Sequence, residues 1–166
     1  MKYKVGVFMV VKFDLKNLLK NLAVPLLVGL VSGFLTRNAV TIFNETVNKP
    51  FFMPPGWLFP VVWTILYTIM GISTYLINTT KTDKNKKLAY ILYFTQLAFN
   101  FIWPFIFFNL EMYLFAFIWI IILWILIIAT TLEFYKINKA AAFLMIPYII
   151  WVTFASVLNF SIYLLN

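Results

Sequence analysis

Five stretches of this chain run without a charged residue: 21–36, 50–80, 88–110, 112–132 and 140–166. A bilayer core ~30 Å thick takes roughly 20 apolar residues of helix, with ~17–25 in practice. Four of the runs reach that length alone. The first reaches it when Leu18 begins the span and Lys20 snorkels to the headgroups. A helix satisfies its own backbone where no water can, so the fold class predicted is an all-α membrane protein with a five-transmembrane-helix bundle. Composition excludes the alternative: 64% hydrophobic and 11% charged residues, against about 45–50% and about 25% in a soluble domain. The chain divides into a basic N-terminal segment, 1–17, and a membrane domain, 18–166. The predicted helices are 18–36, 57–78, 88–108, 112–135 and 141–164, with a first loop of about twenty residues.

What is missing bounds the chemistry. Without cysteine or histidine there is no thiol nucleophile, disulfide or imidazole base, and no zinc or copper site is expected. All five acids (Asp14, Glu45, Asp83, Glu111, Glu133) fall at or beyond helix ends, whereas proton-coupled exporters usually bury a carboxylate in a span. Ordinary acid–base or nucleophilic catalysis is therefore not expected. The net charge of +8 suits loops beside anionic lipid, and nucleic acid is not an expected partner. Eleven Lys and Arg lie in the N-terminal segment and the second and fourth loops, against Arg37 and Lys49 on the other side. The positive-inside rule then predicts a cytoplasmic N-terminus and an external C-terminus. Val5–Val11 is apolar for too short a stretch, and lacks the cleavage pattern, to be a signal peptide. The remaining reading is a segment lying on the membrane surface.

Two features stand out within the spans. The first loop packs Pro50, Pro54, Pro55 and Gly56 directly before helix 2; prolines fix φ and hold the preceding residue extended. Such a loop is either a stiff lid over the helix ends or a helix-initiating turn. Helix 3 carries Tyr93, Gln96, Asn100 and Trp103 at spacings of three and four, helix 5 carries Tyr148, Trp151, Ala155, Leu158 and Asn159, and helix 2 offers Trp63, Tyr67 and Gly71. At about 1.5 Å of rise per residue, Trp63, Trp103 and Asn159 lie about 8–9 Å below the outer ends, Asn100 about 12 Å and Ala155 about 14 Å. A common depth fits an aromatic cavity for a flat, largely apolar ligand. It also fits an interfacial aromatic belt with amides bridging helices. Gly29-x-x-x-Gly33 in helix 1 reads as a close-packing face.

Lys49-Pro50-x-x-x-Pro54-Pro55-x-Trp57 and Val62-Trp63-x-x-Leu66-Tyr67-x-x-Met70-Gly71 resemble the signature of the translocator protein / tryptophan-rich sensory protein (TspO/MBR) family. Gln96-Leu97-Ala98-x-Asn100-x-x-Trp103-Pro104 and Pro147-Tyr148-x-x-Trp151-x-x-Phe154-Ala155-x-x-Leu158-Asn159 resemble two further family stretches, in order. The resemblance covers roughly residues 22–166.

It implies a five-helix bundle with a ligand pocket under the first loop, formed by Gly33, Thr36, Phe59, Pro60, Val62, Trp63, Asn100, Trp103, Trp151, Ala155 and Leu158. It implies a porphyrin or heme-related tetrapyrrole as ligand rather than a bound cofactor, a sensing or regulatory role, and a prokaryotic cell membrane as location. A homodimer is the expected assembly. The alternatives are a light-dependent porphyrin degrader using Trp63 and Trp151, and a transporter of small apolar ligands. The chain departs from the family pattern at Phe43 and at Phe52, where relatives often carry tryptophan in the latter place, and at Leu114, which replaces a tryptophan found near the start of helix 4 in animal members. Tyr163 is followed only by Leu164, Leu165 and Asn166, so the cholesterol motif, which needs a following Lys or Arg, is incomplete.

Overall fold

The computed structural model describes residues 14–166 and contains helices α1 (Leu15–Thr46), α2 (Leu58–Thr79), α3 (Lys87–Pro104), α4 (Tyr113–Ile137), α5 (Lys139–Leu144) and α6 (Ile146–Leu165). A π-helical turn, Phe105–Asn109, continues α3. Five segments are long and apolar enough to cross a membrane: α1, α2, α3 with its π-turn, α4, and α5 with α6. The surface segment expected at Val5–Val11 lies outside the described residues.

The first helix is longer than its charge-free run. It extends to Thr46 rather than Thr36, because a charge ends a membrane crossing but not a helix, and Arg37 to Glu45 contain no proline or glycine. What ends it is Pro50: Val47 is already extended, as the approach to a Lys-Pro pair favours. The lid loop is accordingly shortened to 47–57. At the other end Asp14 caps α1 by accepting from the amide of Asn17 at 3.1 Å.

Two prolines reshape later helices. Pro104 has no amide to give the carbonyl of Asn100, and the amides of Leu110 and Met112 reach instead to Phe105 and Ile106, which widens the chain into the π-turn. The predicted final helix is split at Met145, whose amide bonds Ala142 and Phe143; Pro147 then starts α6 from its first turn.

Around the bundle α1 packs on α2, α2 on α5, α6 on α4, α4 on α3, and α3 back on α1. The α1–α2 contact is the tightest. A Cβ built on Gly71 would stand 2.8 Å from Leu22 Cα and 2.9 Å from the carbonyl oxygen of Asn21. That carbonyl lacks its usual helical donor because the residue four further on is Pro25. The same interface passes Gly29, where a Cβ would meet the Tyr67 ring at 2.3 Å, whereas at Gly33 nothing lies within 4 Å. Among the described residues, only the first glycine of the Gly29–Gly33 pair is therefore a packing glycine.

The interior divides into two apolar clusters. One runs through the basic end and the centre, including Leu66, Met70, Ile127, Phe134, Tyr148 and Ala155. The other, including Phe43, Ile106, Phe107, Leu158 and Ile162, sits under the lid loop, with Met53 and Phe59 against it. Trp103 packs on both.

Candidate functional site

The seam between the clusters is where the residues singled out in the sequence meet. On α3, Asn100 is 3% exposed and fully engaged: Tyr67 Oη donates to its Oδ1 at 2.5 Å, and its Nδ2 donates to Tyr148 Oη at 2.8 Å. Tyr148 in turn donates to Gln96 Oε1 at 3.0 Å. Each group passes its proton the same way along the chain, so donor capacity accumulates at the end, and Gln96 Nε2 is buried without a partner. Three helices are thus joined by one polar thread, as apolar surroundings demand.

Toward the lid the thread gives way to rings. Trp63 stacks on Tyr67 with centroids 5.5 Å apart and meets Tyr148 edge-on at 6.2 Å. Phe59 meets Trp151 edge-on at 5.9 Å, Trp151 tilts against Phe154 at 5.5 Å, and Phe154 contacts Phe52 of the loop at 6.5 Å. Here α2 and α6 are bridged by these side chains rather than by close backbone approach. The indoles differ in one respect. Trp103 donates to Asn159 Oδ1 at 3.1 Å, Trp119 to the Phe99 carbonyl at 2.9 Å and Trp124 to Thr153 Oγ1 at 2.9 Å. Trp151 Nε1 is buried with no acceptor, a state that costs about 1–3 kcal/mol.

The loop closes this end as a tethered cover. The amide of Asn48 donates to Asn166 Oδ1 at 3.0 Å and Asn166 Nδ2 donates to the Asn48 carbonyl at 3.1 Å, so the loop start is pinned to the end of α6. Pro50 is buried, Met53 packs on the cluster below, and Phe51 is fully exposed.

Of the eleven residues expected to form the pocket, Phe59, Val62, Trp63, Asn100, Trp103, Trp151, Ala155 and Leu158 are brought to the two clusters or the seam between them. Thr36 is buried on α1, its hydroxyl donating to the Ser32 carbonyl at 2.9 Å. Gly33 and Pro60 are exposed and stand apart from the gathered residues. Tyr67, Gln96, Tyr148 and Phe154 were absent from that expected set yet form its polar floor and one wall; their helical spacing was the available signal. Asn159 holds Trp103 and, through Nδ2, the Tyr113 carbonyl at 3.1 Å, which makes it a brace.

Five helices long and apolar enough to cross a membrane, with this aromatic seam between them, define a multi-pass membrane protein. The TspO/MBR family pattern matches residues 21–165, and the chain belongs to that family. It is 39% identical over 155 residues to the tryptophan-rich protein TspO of Archaeoglobus fulgidus, covering 92% of this chain and 99% of that one. It is 34% identical over 122 residues to the tryptophan-rich sensory protein of Cereibacter sphaeroides, covering 74% and 75%. To the translocator protein of Homo sapiens it is 33% identical over 119 residues, 70% of each chain.

Proposed function

We propose that this protein is a membrane tetrapyrrole-binding sensor or regulator that takes a porphyrin or heme-related ring between α2, α3 and α6, beneath the 47–57 loop. The observation that carries the reading is Trp151 Nε1, a buried donor without an acceptor set among the rings of Phe59 and Phe154. A porphyrin supplies what that environment lacks: a flat apolar face for the rings and polar edges for the donor. Entry requires the α2 and α6 aromatics to part, and each aromatic pair broken costs about 0.5–1.5 kcal/mol, offset when the same rings stack on the ligand. The orientation proposed, from the basic residues, puts the lid outside and the N-terminus in the cytoplasm. The homodimer is proposed from the family resemblance alone.

A light-dependent porphyrin-degrading activity is the second reading, favoured by the stacking of Trp63 on Tyr67, two oxidisable rings in contact. Titrating the purified protein with protoporphyrin IX in the dark and then illuminating it separates the two. Saturable binding with no protein-dependent bleaching supports the sensor. Bleaching that disappears in Trp63→Phe or Trp151→Phe at matched occupancy supports the degrader, because phenylalanine keeps the ring but is far harder to oxidise. Absence of saturable binding contradicts both.

A further inference from the structure

The polar thread through Asn100 can run in two directions, and they leave different groups unpaired. As it stands, Tyr67 Oη donates to Asn100 Oδ1, Asn100 Nδ2 to Tyr148 Oη, and Tyr148 Oη to Gln96 Oε1. Both hydroxyl protons are used, and the surplus donor is Gln96 Nε2, buried without a partner on a residue that is 0% exposed. A hydroxyl both donates and accepts, and an amide does one at each of its two ends. The same four side chains can therefore carry their bonds the opposite way after a turn of each amide. Gln96 Nε2 then donates to Tyr148 Oη, Tyr148 Oη to Asn100 Oδ1, and Asn100 Nδ2 to Tyr67 Oη. The Gln96 donor gains a partner, and the unpaired proton moves to the far end of the thread, onto Tyr67.

That end belongs to the aromatic seam. The Tyr67 ring is stacked on Trp63 and confined by Gly29, so its oxygen stays in place whichever way the proton turns. A buried donor left unpaired is costly, and the reversed thread is favoured only when something in the seam accepts from Tyr67. A flat ring with acceptors on its edge meets that need, as it does for Trp151 Nε1, the other orphan donor of the seam.

We propose that Tyr67 is a ligand-binding donor and that the thread reverses on binding: an acceptor on the edge of the bound ring, such as a propionate carbonyl, takes the Tyr67 proton, and the reversal pairs the Gln96 amide on α3. The inference rests on the tetrapyrrole reading and deepens it, naming the group the ligand must carry and the residue at which occupancy is first registered.

Two uncharged porphyrins test it: protoporphyrin IX dimethyl ester, whose side chains include carbonyl acceptors, and etioporphyrin, whose side chains are alkyl. Titrated in the dark into the purified full chain, the ester binds more tightly. Tyr67→Phe, which keeps the ring and removes only the hydroxyl, weakens the ester roughly fivefold, as one net hydrogen bond implies, and leaves etioporphyrin unchanged. Gln96→Leu removes the acceptor that holds the thread in its present direction, so Tyr148 turns to Asn100, Tyr67 is left free to donate, and the ester binds severalfold more tightly. Loss at one end of the thread with gain at the other is a result that a purely structural network does not give. In the wild type the ester, and not etioporphyrin, shifts the side-chain amide resonances of Gln96, a readout that needs no variant to fold. Equal affinity for the two porphyrins, unchanged ester binding in Tyr67→Phe, ester binding not tightened in a folded Gln96→Leu, or unmoved Gln96 resonances overturns the proposal and leaves the tetrapyrrole reading standing. Failure of both porphyrins to bind contradicts that reading itself.

Discussion

Gly29 lies so close to Tyr67 that a Cβ there would stand 2.3 Å from Cε2 of the ring. The ring has little room to retreat, because its hydroxyl is held by Asn100 at 2.5 Å and its face by Trp63. A glycine on α1 thereby sets the position of the polar thread that joins α2, α3 and α6. Overpacking of this kind costs ~1–3 kcal/mol, and Gly29→Ala is expected to lower thermal stability in detergent by that order. Gly33→Ala, with open space around it, is expected to change little. Combining Gly29→Ala with Tyr67→Leu should cost less than the two single changes added together; strict additivity would show that glycine and ring do not interact.

The tie between Asn48 and Asn166 predicts a kinetic effect. Asn166→Ala removes the side chain that both accepts from the Asn48 amide and donates to its carbonyl. The lid start then keeps the weaker bond from Asn48 Nδ2 to the Leu165 carbonyl at 3.4 Å, the bond from Lys49 to the Asn44 carbonyl and the packing of Pro50 and Met53. Hydrogen exchange at residues 47–57 should accelerate while exchange in α3 and α4 stays as in the wild type, and porphyrin association and dissociation should both quicken. An unchanged exchange pattern would mean the tie does not restrain the loop.

Topology is tested by reporter fusions. A reporter active only in the cytoplasm should give no signal when fused after Asn166 and a strong one when fused ahead of Met1. The reverse pattern would put the lid loop inside the cell and overturn the reading of the basic residues.

The number and order of the spans were legible because the bilayer sets a length and forbids most charges within it, a rule the sequence states openly. The end of α1 was not legible, since Arg37 to Glu45 are as compatible with helix beyond the membrane as with loop, and the proline that stops the helix lies at 50. The stripe of Gln96, Asn100 and Trp103 could be read from spacing, but its pairing could not. Which way each helix rotates toward its neighbours decides whether Asn100 meets a ligand or two tyrosines, and rotation depends on contacts such as Gly29–Tyr67 and Gly71–Leu22 that no local pattern encodes. Likewise Pro104 and Pro147 were visible, while the π-turn after the first and the break at Met145 before the second follow from where the displaced amides find partners.

The most direct test of the binding site is the protoporphyrin affinity of Ala155→Phe, measured in the dark alongside wild type and Trp124→Phe. Ala155 is a small buried side chain in the cluster that also receives Trp63, Trp103 and Trp151, so a phenyl group there fills the space a ligand needs beside α6. Loss of ~1–3 kcal/mol of binding energy weakens affinity roughly 5- to 150-fold. Trp124, bonded to Thr153 on the exposed side of α6, should be replaceable without effect on binding. An Ala155→Phe protein that is folded and monodisperse yet binds protoporphyrin IX as tightly as wild type would contradict a site between α2, α3 and α6.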